Sequence, residues 1–145
     1  MHVVAGSWPK TWWERTTGLH VVAATYAIYF DAGVGTPPYL YINAGLRFDG
    51  ASVPNVLWSV LAATPALLFL MGMIHDYTVR SDAVYYPEVG RGAPVPFETS
   101  IDMAVAVADW CNVSRLDQHK IRWGLTVSAS SYWRKKSTLW EGYDQ

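Results

Sequence analysis

The sequence predicts an α+β domain, a small antiparallel β-sheet (hairpin or meander) followed by about four α-helices. Three observations predict it. The first half carries short β-branched and aromatic runs separated by Gly- and Pro-rich turns. The second half carries apolar residues at helical spacing, punctuated by helix starts and stops. The 145 residues suffice for one core and are too few to suggest two.

Residues 1–18 are Trp-rich and irregular, and read as an N-terminal arm. Residues 19–48 form the expected β part. Leu19 to Phe30 reads as strand, Asp31 to Pro38 as a turn cluster, and Tyr39 to Ile42 as a second strand. Asn43-Ala44-Gly45 turns, and Leu46-Arg47-Phe48 makes a short third strand. Asp49 to Pro54 links sheet to helix, with Asp-Gly as a turn former and Pro54 suited to a first helical turn. The helical part spans 49–136. Its expected helices are Asn55–Ala63, Pro65 to about Val79, Glu98 to about Trp110, and Ser114 to about Lys136. Thr99 as N-cap would make Asp102 the third helical residue, and Ser114 with Asp117 repeats that capping pattern. Ser81–Phe97, with three prolines, reads as a long loop suited to a lid or docking arm. Residues 137–145 form a tail with Trp140 and Tyr143.

Composition excludes several roles. Net charge is −1, and Arg134-Lys135-Lys136 is the longest basic run, so nucleic acid is not an expected partner. One cysteine, Cys111, allows neither an internal disulfide nor a cysteine zinc cluster. No phosphate loop, dinucleotide fingerprint, HExxH or GxSxG occurs. Val56–Ile74 holds no charged residue, but Pro65 interrupts it, and two buried helices meeting at Thr64-Pro65 explain it as well as a membrane span does. Charged residues are only 16% of the chain, against 8 Trp and 9 Tyr. That surplus of aromatic surface suggests a subunit of something larger.

The chemistry concentrates where the apolar run ends, at His75-Asp76-Tyr77 and Arg80. His75 lies four residues after Met71, on the apolar face if the run is helical. One reading is structural: His75 donates to Asp102 or Asp49, and Arg80 pairs with Asp76 one turn earlier. The other is catalytic, with His75 as a base near neutral pH and a carboxylate fixing its tautomer. In a metal-assisted version, His75, Asp76 and Asp49 or Asp102 are ligands to a metal that activates water. The Asp49–Ser52 loop could line either site.

The order Phe48-Asp49-Gly50-Ala51-Ser52-Val53-Pro54, Trp58, Ile74-His75-Asp76-Tyr77, Arg80 and then Asp102 resembles a phage and prophage family catalogued as domain of unknown function 1353. The resemblance covers roughly Leu19 to Trp133, and departs from the family pattern in the longer, Pro-rich Ser81–Phe97 stretch. It implies a bacteriophage protein made in the bacterial cytoplasm and carried in the virion, in the tail or tail tip. Its implied partners are other virion proteins and further copies of itself, with the host envelope as a candidate substrate. A second, chemical likeness is to secreted A-type phospholipases. It implies His75 as general base, Asp102 as its orienter, and Asp76 with the Asp49 loop as ligands to a divalent metal such as calcium. Zinc is the counterpart for peptidoglycan cleavage. Ser52, Tyr77 and Arg80 would support such a site. The alternatives are a purely structural tail, baseplate or decoration subunit, and a small membrane protein of a lysis cassette.

Overall fold

A computed structural model describes residues 2–4, 11–16, 18–30, 33, 35–48, 65–80 and 83–129. These form an α+β fold of two antiparallel sheets and, among the described residues, three helices. The strands are β1 (His2–Val4), β2 (Thr11–Glu14), β3 (Leu19–Val22), β4 (Tyr26–Tyr29), β5 (Tyr39–Ile42) and β6 (Arg47–Phe48). Helix α1 (Pro65–Thr78) follows, then β7 (Val84–Glu88), β8 (Arg91–Pro94), α2 (Phe97–Trp110) and α3 (Arg115–Ala129).

The larger sheet has the order β1-β4-β5-β7-β8. Its register pairs Val3 with Ile28, Ile28 with Leu40, and Tyr39 with both Tyr29 and Tyr86. Side chains alternate across a strand. Tyr26, Ile28, Leu40 and Ile42 therefore share one face, and all four are buried in the core. Tyr29, Tyr39 and Tyr41 share the other. The smaller sheet, β2-β3-β6, aligns Trp13, His20 and Phe48 in one row. Its outer strands are joined over β3 by Arg47, which donates to Glu14 Oε1 at 2.9 Å and Oε2 at 3.3 Å.

The helices close the core. From Leu70 to Arg80 every residue is buried except Gly72 and Tyr77, which are half-buried. A helix covered on all sides needs no polar stripe, which accounts for its nearly unbroken apolar sequence. Ile101, Ala104 and Val107 of α2, and Ile121 and Leu125 of α3, pack into the same cluster. The Ile, Val and Leu side chains among them each contribute about 1.5–3 kcal/mol through burial.

The expected architecture is corrected in several places. The sheet is not one hairpin or meander of residues 19–48. That segment divides at Ala23–Thr25, and β3 and β4 enter different sheets. The N-terminal arm supplies β1 and β2. Strands also follow α1: the stretch read as a Pro-rich loop folds as the β7–β8 hairpin, turning at Gly90 with φ 75°. About four helices become three among the described residues; the helix expected at Asn55–Ala63 lies outside them, as does the tail after 129. Among the described residues no helix is long and apolar enough to cross a membrane.

Candidate functional site

The last turn of α1 is anchored before it exposes any chemistry. Thr78 Oγ1 donates to the His75 carbonyl at 3.2 Å, and Val79 N donates to the same oxygen at 3.1 Å. The chain then turns, with Ala83 N donating to the Arg80 carbonyl at 3.3 Å. Tyr77 pins the next strand: its hydroxyl donates to Val84 O at 3.3 Å and accepts from Val84 N at 3.4 Å.

Within this frame His75 is 8% exposed, Asp76 3% and Arg80 6%, and each engages other groups of the fold. Buried polar groups of this kind must be satisfied, because an unsatisfied one costs about 1–3 kcal/mol and a charged one more. Asp102 stands elsewhere. Its side chain is 63% exposed, and Arg122 Nη1 of α3 donates to its Oδ1 at 2.7 Å. Nor is it the third residue of its helix: the N-cap is Pro96 and makes no side-chain cap. Thr99 lies inside α2, as does Ser100, whose hydroxyl donates to the Phe97 carbonyl at 2.6 Å. The structure thus pairs the proposed orienter with a surface arginine and keeps the proposed base in the core. Asp49 and Ser52 lie outside the described residues. Among the described residues no group of three His, Cys, Asp or Glu side chains is placed to hold a metal ion.

What the end of α1 does line is a cavity of about 590 Å³. Tyr77 and Arg80 reach it from the helix end, Thr25, Tyr41 and Asn43 from the tyrosine-bearing face of the larger sheet and its ends, and Val84 and Tyr86 from β7. Neither His75 nor Asp76 lines it. Its aromatic wall is ordered ring against ring. Tyr86 stacks on Tyr39 with centroids 4.9 Å apart and planes 11° from parallel. Tyr41 stands edge-on to Tyr39 at 5.4 Å and to Tyr86 at 5.6 Å. Tyr29 closes the row at 5.2 Å from Tyr39. A hydrogen bond with Tyr29, then partial burial, then the nearby charge of the Tyr29 phenolate, push the Tyr41 phenol above its ordinary value. It therefore stays a neutral donor and acceptor.

Sequence reasoning named Tyr77 and Arg80 but missed the sheet residues opposite them. A signal existed: Tyr39, Tyr41 and Asn43 alternate along one strand face. Tyr86 carried none, because its strand was read as loop. No family model matches the chain, and no curated protein or solved structure is significantly similar to it.

Proposed function

We propose that this chain is a structural or attachment subunit of a bacteriophage particle, in which His75 and Asp76 secure α1 rather than perform hydrolysis. The phage assignment rests on the Phe48–Pro54 and Ile74–Tyr77 segments and their resemblance to the phage and prophage family. One structural observation carries the subunit reading: α3 is apolar on two opposite faces. Ile121 and Leu125 face the core, while Leu116, Trp123 and Val127, at spacings of seven and four, form an outward stripe on the opposite side of the helix. Trp12 and Trp13, each about half exposed, add aromatic surface on the edge strand β2. Exposed apolar stripes of this kind mark interaction sites.

Mass spectrometry of purified particles from the strain that carries the gene should detect the chain. Sedimentation of the purified protein should show association that Trp123→Ser weakens without loss of fold. Absence from particles together with a strictly monomeric protein would overturn the subunit reading. A phospholipid and peptidoglycan hydrolysis screen addresses catalysis directly. Activity that disappears in a folded His75→Ala variant would restore the hydrolase.

A further inference from the structure

The cavity at the end of α1 has the chemistry of a saccharide site. A pyranose presents a flat face of C–H bonds and a rim of hydroxyls that both donate and accept. It needs an aromatic plate held rigid, and polar groups around the plate that are not all acceptors. Both are present. The Tyr86 ring is fixed by stacking on Tyr39, itself buried, and Tyr41 stands across it at 65° to make an aromatic corner. Around the corner lie the Asn43 amide, the Thr25 hydroxyl and the Arg80 guanidinium. Thr25 Oγ1 accepts from Ala44 N at 3.2 Å, which leaves its proton available to a ligand. Asn43 offers two donors and one acceptor, and Arg80 adds an edge of its guanidinium to the cavity wall.

The same features argue against a simple anion site. Arg80 is engaged within the fold, so the cavity is not a bare cationic funnel. Among the described residues, the other polar lining groups are neutral hydroxyls and an amide. Its volume of about 590 Å³ lies within the range of small-ligand pockets. Tyr41 and Asn43 are exposed, so a ligand can reach the mouth without movement of the fold.

We infer that the Tyr41–Tyr86 corner with Asn43, Thr25 and Arg80 binds a neutral saccharide unit, alone or as the end of a longer glycan. This does not depend on the phage assignment, and it fits an attachment role.

The test is saturation-transfer NMR and calorimetry of the full chain with glucose, galactose, mannose and N-acetylglucosamine. Glucuronate and inorganic phosphate serve as the anionic arms. Saturation should reach the C–H face of at least one neutral sugar. Tyr86→Ala should weaken that sugar about tenfold, from loss of the stacking plate. Asn43→Ala should weaken it about fivefold, from loss of hydrogen bonds. Asn43 is exposed, so its variant carries the test if Tyr86→Ala does not fold. Binding of none of the neutral sugars, preference for phosphate or glucuronate over all of them, or equal affinity in wild type and Asn43→Ala would each overturn the assignment.

Discussion

Asp102→Asn separates the two roles given to this carboxylate. In the structure it meets Arg122 at 2.7 Å, with side chains 63% and 45% exposed. At that distance two unit charges in bulk water attract by about 1.5 kcal/mol. Holding a long arginine side chain in one geometry offsets much of this, by up to about 2 kcal/mol of rotamer freedom. Exposed pairs accordingly measure about 0.2–1 kcal/mol. Removing the charge should therefore lower unfolding free energy by less than about 1 kcal/mol, and by less still in molar salt. A double-mutant cycle with Arg122→Ala should return a coupling of the same size. Urea unfolding followed by circular dichroism measures both, and NMR titration of the His75 ring should be unchanged. Were Asp102 the partner of a buried imidazole, its loss would leave that group uncompensated. The cost would then be about 3–5 kcal/mol, with a displaced His75 titration. Either result would refute the geometry described for Asp102.

Three further outcomes follow from individual contacts. Tyr77→Phe removes the hydroxyl that holds Val84, and should cost about 0.5–1.5 kcal/mol while hydrogen exchange speeds up selectively in the β7–β8 hairpin. Ser114→Ala removes the acceptor for Asp117 N and should destabilise α3 by about 1 kcal/mol in the same urea assay. Burial raises the Cys111 thiol above its ordinary value of 9.0. A raised folded value contributes stability that is complete below the unfolded value and is lost as pH rises through the folded one. Unfolding free energy should thus fall as pH rises past about 9, and Cys111→Ser should remove that part of the slope.

Local signals in the sequence were reliable where local forces decide. Ser114 with Asp117 announces the start of α3, and Asp117 N does bond Ser114 Oγ at 3.2 Å. Pro65 opens α1 where a proline fits the first turn. The β7–β8 hairpin was hidden by its own chemistry. Pro94 sits on the edge strand β8, where a missing N–H is tolerated, and Pro87 falls at the irregular register between Tyr85 and Glu88. Gly92 reads as a breaker but sits in close packing, since a Cβ there would stand 2.7 Å from Val84 Cγ1 and the Val84 side chain would have to shift. The switch between sheets at Ala23–Thr25 is equally silent, because β-branched residues suit both strands. For Asp102 the capping rule misled: Arg122 is twenty residues away, and only the packing of α2 on α3 brings it near. The cavity was half legible for the same reason. Tyr77 and Arg80 stand out beside an apolar run, whereas Tyr41 and Tyr86 acquire meaning only when β5 and β7 pair.

That pairing also orders events during synthesis. Tyr39 meets Tyr29 across a short connection, but it meets Tyr86 only after all of α1 has been added to the chain. Contacts so distant in sequence form late and slow the folding of the whole domain. Until β7 arrives, the Tyr39 edge of β5 is an open template for any other extended segment. A nascent or partly folded chain is therefore most exposed to mispairing at the very edge that later completes the tyrosine row.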